Sequence, residues 1–169
     1  MEFRISLGLI IVSDRAVSGV RPDQTIPTMQ RWCREKGFNL IWNKIVPDNA
    51  DQIADELKQA ITAGGVDIIL TSGGTGFSPN DVTPEATQRV IEKRTPGIDE
   101  YLRHKGTEKT PYAVLSRGIS GISGNILIIN LPGNPQAAIE NMDWLEKILP
   151  HARALLKGTA DDQSHSLQI

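Results

Sequence analysis

Between Thr71 and Ala86 the chain reads TSGGTGFSPNDVTPEA. Gly73, Gly74 and Gly76 fall close together among the hydroxyls of Ser72 and Thr75, and Asp81 stands just before a helix-like start. Glycines let backbone N–H groups crowd around an anion without Cβ interference. A helix start adds unpaired donors and the positive end of the helix dipole. A second stretch of this character, Leu131-Pro132-Gly133-Asn134-Pro135, also opens a helix. Either loop alone reads equally well as a tight turn, but two loops converging on one edge could hold a polyphosphate or another large anion. Asp48 and Asp81 read in two ways as well. They are Asx-turn or cap residues, or a carboxylate pair suited to Mg2+, a hard cation that combines a few protein oxygens with phosphate oxygens. The matching chemistry is phosphoryl-type transfer, which asks of the protein mainly positioning and charge neutralisation. Arg15 and Arg117 are the candidate cations.

The common phosphate fingerprints do not apply. No Gly-Lys-Ser/Thr follows the loop, and a G-x-G-x-x-G reading from Gly74 meets Pro79 at its last position. The GxxGxxG of Gly118–Gly124 reads as a hairpin or irregular turn.

The elements that must position these residues alternate along the chain. Ile5–Ser13, Leu40–Val46, Val66–Thr71, Tyr112–Leu115 and Asn125–Leu131 read as strands. Helices are expected over Ile26–Lys36, ending at Gly37, and after the capping box Asn49–Gln52, with Ile53, Leu57 and Ile61 on one face. Further helices are expected from Thr83-Pro84 to about Arg94, over Gly97–Lys105, and from Asn134-Pro135 onward, with Ala138, Met142, Leu145 and Leu149 on the apolar face. Pro150–Lys157 continues that helical run. The fold class is α/β, a mostly parallel sheet with helices on both sides. In such sheets ligands bind beyond the carboxyl ends of the strands, here near Ser13, Val46, Ser72 and Leu131. The expected organisation is one domain over residues 1–158 with a polar, frayed tail over 159–169.

Composition bounds the alternatives. The 169 residues carry a net charge of −2, so no global positive field draws nucleic acid. The longest apolar runs are too short to cross a bilayer, and the N-terminus lacks a signal-peptide pattern. The single Cys33 excludes an internal disulfide and a thiolate cluster, and the three scattered histidines disfavour a zinc site. A cytoplasmic location is the expectation.

Taken in order, T-S-G-G-T-G, D-V-T-P-E-A, L-S-R-G and L-P-G-N-P resemble the molybdopterin-binding domain family. Within it they are most similar to the molybdopterin adenylyltransferases (MogA type, and the G domain of gephyrin and its plant relative), with the MoaB proteins near by. The similarity runs from I-V-S-D-R at Ile11–Arg15 to the helix after Pro135. It implies a three-layer α/β/α fold, commonly trimeric, with a hexamer as the alternative assembly. It also implies a reaction in which the terminal phosphate of molybdopterin attacks the α-phosphate of Mg-ATP. The products are adenylylated molybdopterin and pyrophosphate, and a molybdate-inserting enzyme of the same pathway takes the first. Carried onto this sequence, V-P-D and D-V-T-P give Asp48 and Asp81 as the catalytic, metal-holding aspartates. Ser72, Gly73, Gly74, Thr75 and Gly76 match the nucleotide and phosphate loop. Ser116 and Asn134 match positions on the pterin side, with Arg117, Pro132 and Gly133 beside them, and Ser13 and Asp14 approach the nucleotide or the neighbouring loop. The resemblance also allows a MoaB-like binding or assembly protein without transferase activity. The loop Gly19–Pro27 departs from the family's Ser-Gly-Pro pattern, and Asp23 receives no role.

Overall fold

The computed structural model describes residues 4–160. The tail expected over 159–169 therefore lies outside the described residues except for Thr159 and Ala160. Six strands form one sheet: β1 (Ser6–Val12), β2 (Asn39–Val46), β3 (Ile68–Ser72), β4 (Lys93–Arg94), β5 (Ser120–Ser123) and β6 (Ile126–Leu131). Their order is β2-β1-β3-β6-β5-β4. The pairs β1–β2, β1–β3 and β3–β6 are parallel, while β4–β5 and β5–β6 are antiparallel. The helices are α1 (Asp14–Val17), α2 (Thr25–Lys36), α3 (Ala50–Ala63), α4 (Thr83–Gln88), α5 (Pro96–Thr107), α6 (Pro135–Leu145) and α7 (Leu149–Lys157).

The period-two pattern of the central strands sends alternate residues to opposite faces. Leu7, Leu9 and Ile11 of β1 join Leu70 and Ile129 in a core closed by Met29 and Trp32 of α2 and Met142 and Leu145 of α6. Ile10 and Val12 join Ile69 and Ile128 on the other face, under Ile53 and Leu57 of α3 and Ala86 of α4. Strands buried on both faces explain the near-continuous apolar runs, and the layering is the expected α/β/α sandwich.

Three expectations about the elements change. The helix opening near Thr83 ends at Gln88, because Glu92 N–H donates to Ile122 O and the chain then pairs as β4 with β5. Val82, not Thr83, holds the N-cap position, since the Thr83 hydroxyl donates to Gly73 O at 2.8 Å. Tyr112–Leu115 is no strand. Pro111–Leu115 forms an exposed 3-10 turn with no sheet edge beside it, its start capped by Thr110 Oγ1. The short α1 is an addition, capped by Ser13 Oγ accepting from Ala16 N–H at 3.2 Å. The GxxGxxG stretch does form a hairpin, β5–β6, turning at Gly124 with φ +59°.

At the end of the sheet away from the glycine loops, Asp67 ties α7 to the first strands. Its carboxylate accepts from Ser6 N–H at 2.9 Å and pairs with Arg153 Nε at 2.9 Å and Lys157 Nζ at 3.2 Å. Burial raises the carboxyl's pKa, but the Ser6 amide and the two cations outweigh it and leave the value below the usual range. A depressed carboxyl stabilises the fold fully above its ordinary pKa and loses that contribution as pH falls through the lowered one. Asp67→Asn leaves two cations without a counter-charge and should cost about 1–3 kcal/mol at neutral pH. Thermal melts across the acid range should show a lower melting temperature and a flatter acid decline below about pH 4 than in the wild type. An unchanged melt would contradict this role.

Candidate active site

The parallel register brings the ends of four strands together. Val12 lies beside Val46, Ile11 beside Ser72, and Ser72 beside Leu131. The loops leaving these strands enclose a polar cleft of about 510 Å3. Ser13, Asp14, Asp48, Ser72, Gly73, Gly74, Asp81, Gly133 and Asn134 all line it.

At the cleft the glycine loop is pinned at its start and free at its crest: Ser72, Gly73 and Gly74 line the space, while the expected Thr75 and Gly76 line neither it nor the second chamber. Gly73 N–H donates to Leu131 O at 3.2 Å, and Ser72 Oγ donates to Pro132 O at 2.8 Å. Gly73 adopts φ +107°, and a Cβ there would collide with Val12 O. A Cβ on Gly133 would stand 3.1 Å from Gly73 Cα, so the two loops touch backbone to backbone. Gly73's amide is thus spent on the fold. Among the described residues, none accepts from the N–H groups of Gly74, Thr75 and Gly76. These three amides form a short run of unsatisfied donors, the arrangement that binds anions.

Two carboxylates face the same loop. A Cβ at Gly74 would lie 3.4 Å from Asp48 Oδ1, and one at Gly76 would lie 2.9 Å from Asp81 Oδ2. Asp81 is oriented by Ser78 N–H, which donates to Oδ2 at 3.0 Å. Asp48 and Asp14 are locked reciprocally: Asp14 N–H donates to Asp48 Oδ2 at 2.9 Å, and Asp48 N–H donates to Asp14 Oδ1 at 3.0 Å. Burial pushes the Asp48 carboxyl above its usual range. The Asp14 amide opposes that rise, while the negative charges of Asp14 and Asp81 add to it. Among the described residues no basic side chain pairs with any of these three carboxylates. Among the described residues no group of three or more His, Cys, Asp and Glu side chains is placed to hold a metal ion.

The remaining expected residues fall elsewhere. Ser116 and Pro132 line a second, more apolar chamber of about 290 Å3, walled by α5, the 3-10 turn and α6. Leu102, Tyr112, Ala113 and Trp144 supply its apolar surface, and Asp99 and Arg103 its polar edge. Asn134 parts from Ser116. It lines the polar cleft, and its Oδ1 accepts from Ala137 N–H at 3.0 Å as the cap of α6. Arg117 does not offer its charge to the cleft: its Nε donates to Gly76 O at 2.8 Å and its Nη2 to Asp81 O at 2.6 Å, while its Nη1 pairs with Glu85. Thr75 O accepts from Arg117 N–H at 2.8 Å. Of the two candidate cations, Arg15 lines the cleft.

Sequence reasoning missed several residues. Arg21, Ser78 and Asn80 also line the polar cleft. The proximity of Ser78 and Asn80 to Asp81 was the available signal. Asp23 lines the cleft too and lies just ahead of α2, its oxygens accepting from Thr25 and Ile26 N–H at 3.1 and 2.8 Å. The apolar chamber left no local signal, because its walls come from segments far apart in the chain. Cys33 lies outside both chambers; it is buried and its thiol is pushed up to about 11, so it stays protonated.

Comparison with known proteins gives the family. Residues 8–151 match the family model described as "Probable molybdopterin binding domain". The chain is 36% identical over 172 residues to the molybdopterin adenylyltransferase of Haemophilus influenzae, covering 100% of this chain and 86% of that one. It is 40% identical over 153 residues to the molybdenum cofactor synthesis protein cinnamon of Drosophila melanogaster, covering 90% of this chain but 26% of that longer protein. Among solved structures, the molybdopterin biosynthesis enzyme MoaB of Thermus thermophilus superposes with a TM-score of 0.85 at 39% identity, covering 91% of this chain and 97% of that one. Family match, sequence identity and fold agree, and the chain belongs to the molybdopterin-binding domain family of molybdenum cofactor biosynthesis.

Proposed function

We propose that this protein is a molybdopterin adenylyltransferase. The observation that carries the reading is the run of unpartnered amides at Gly74–Gly76 beside the Asp48 and Asp81 carboxylates, at the edge of the polar cleft that Gly74 and both carboxylates line. In the reaction an oxygen of the molybdopterin terminal phosphate forms a bond to the α-phosphorus of ATP. The bond from that phosphorus to the αβ-bridging oxygen breaks, and pyrophosphate leaves with the electron pair. The loop amides bind the polyphosphate as fixed dipoles that need no reorganisation during transfer. The neighbouring apolar chamber suits a flat heterocycle. The loop Leu131–Asn134 borders both spaces through Pro132 and Gly133, so one substrate can span them.

The donor set fits Mg2+. Asp48 and Asp81 are hard oxygen donors beside the phosphate-binding amides, and a cation would offset both the burial of the Asp48 charge and the negative charges beside it. These two residues would hold the ion, which when bound neutralises the polyphosphate. Asp14 orients Asp48, and Ser78 orients Asp81. The finer expectations follow the same reading: a cytoplasmic enzyme, passing its product to a molybdate-inserting partner, assembled as a homotrimer. Exposed Ile41 and Ile45 on the edge strand β2, with exposed Val17 on the adjoining α1, support self-association. No helix among the described residues is long and apolar enough to cross a membrane.

Purified protein given molybdopterin and Mg-ATP should release pyrophosphate. Asp81→Asn should abolish release, and Asp48→Asn should lower turnover about 100-fold or more while leaving molybdopterin affinity nearly unchanged. Full activity in both variants would defeat the reading, and molybdopterin binding without pyrophosphate release would make the protein a binding module instead. The pH dependence supplies a further check. Asp48 acts as a carboxylate, and burial raises its pKa in the free enzyme, so kcat/KM, which reports the free enzyme, should fall as acidity increases through that raised value. Asp14→Asn removes one of the charges that raise it and should move the acid limb to lower pH. An unmoved limb would exclude the assignment to Asp48.

A further inference from the structure

Arg117 sits at the meeting point of three segments. Its backbone belongs to the strap Ser116–Gly118, its Nε and Nη2 reach Gly76 O and Asp81 O, and its Nη1 reaches Glu85 on α4. Every nitrogen of the guanidinium is therefore committed. The two carbonyls flank the segment Phe77–Asn80, which connects the phosphate-binding amides to the Asp81 carboxylate. Ser116, one residue before Arg117, lines the apolar chamber, and Arg103 Nη1 fixes the strap from behind through Gly118 O at 3.0 Å. Glu85 lines neither chamber, and its half-exposed carboxylate lies against Arg117 on the outer side. Exposed ion pairs contribute little stability, so the value of this one lies in geometry. Carbonyl dipoles alone leave a guanidinium free to swing, whereas a planar fork held by a carboxylate has one orientation.

We propose that Glu85 is a positioning residue of the transfer reaction: it holds the Arg117 guanidinium, and Arg117 fixes the Gly76 and Asp81 carbonyls, so that loop, carboxylate and strap keep one geometry. The proposal rests on the adenylyltransferase reading for its effect on turnover and on geometry alone for its effect on the loop. The Glu85 carboxyl titrates below its usual range, chiefly through its bond to Arg117, so the clamp is charged at neutral pH.

The test compares wild type, Glu85→Ala, Glu85→Gln and Arg117→Lys by pyrophosphate-release kinetics, thermal melting and amide hydrogen exchange. Glu85→Ala should lower kcat about 10- to 100-fold, as misplacement of catalytic groups does, with KM for molybdopterin nearly unchanged. Its melting temperature should shift little, and exchange over Phe77–Val82 should accelerate. Glu85→Gln retains an acceptor oxygen and should recover part of kcat, whereas Arg117→Lys offers a single ammonium and should lose as much as Glu85→Ala. Combining Glu85→Ala with Arg117→Lys should add little to either loss, because both break one clamp. Unchanged kcat in Glu85→Ala, or multiplying losses in the double variant, would overturn the proposal. If the wild type releases no pyrophosphate, the adenylyltransferase reading fails separately. Exchange then decides the clamp: acceleration in Glu85→Ala upholds it, and unchanged exchange over Phe77–Val82 overturns it.

Discussion

Everything at the active edge depends on how closely two strand-end loops approach. β3 and β6 are parallel neighbours that end at paired residues, Ser72 and Leu131, so the turns that follow must share one volume. They can do so only because Gly73 and Gly133 have no side chains: a Cβ on the first would strike Val12 O, and one on the second would press against Gly73 Cα. The contact consumes the Gly73 amide and the Ser72 hydroxyl. It thereby lifts Gly74, Thr75 and Gly76 clear of other acceptors. A backbone packing constraint thus creates a run of free donors suited to an anion, and the same strand order carries Asp48 to it from the end of β2.

Electrostatics complete what packing begins. A fold ordinarily disperses carboxylates or pairs them with cations, as it does for Asp67 at the opposite end of the sheet. Around the cleft, Asp14, Asp48 and Asp81 converge, with Asp14 and Asp48 held by each other's backbone amides. Burial, and after it the neighbouring negative charges, displaces the Asp48 carboxyl upward. A site that receives a cation with a polyphosphate can use this imbalance. One sheet therefore carries a compensated carboxylate where it needs rigidity and uncompensated ones where it needs a ligand.

Much of this was legible in the sequence because the signals were local. The apolar runs of β1, β3 and β6, the glycines after Ser72, and Asn134 before Pro135 as the cap of α6 each act over a few residues. Alternation of strands and helices then sufficed to send Asp48, Asp81 and the two glycine loops to one edge. What the sequence concealed depends on distant partners. Thr83 looks like a cap until Gly73 O claims its hydroxyl. Lys93 and Arg94 look helical until β5 offers an edge. Tyr112–Leu115 has strand composition but meets no strand. Arg117 has the type of a phosphate ligand, yet Gly76, Asp81 and Glu85 occupy it fully.

A crystal structure of the protein with Mg2+ and a non-hydrolysable ATP analogue tests the central claim most directly. The account predicts that the phosphates lie against the Gly74–Gly76 amides, with the metal ion touching Asp48 and Asp81. A nucleotide bound in the chamber beside Trp144, or a metal ion remote from both aspartates, would contradict it.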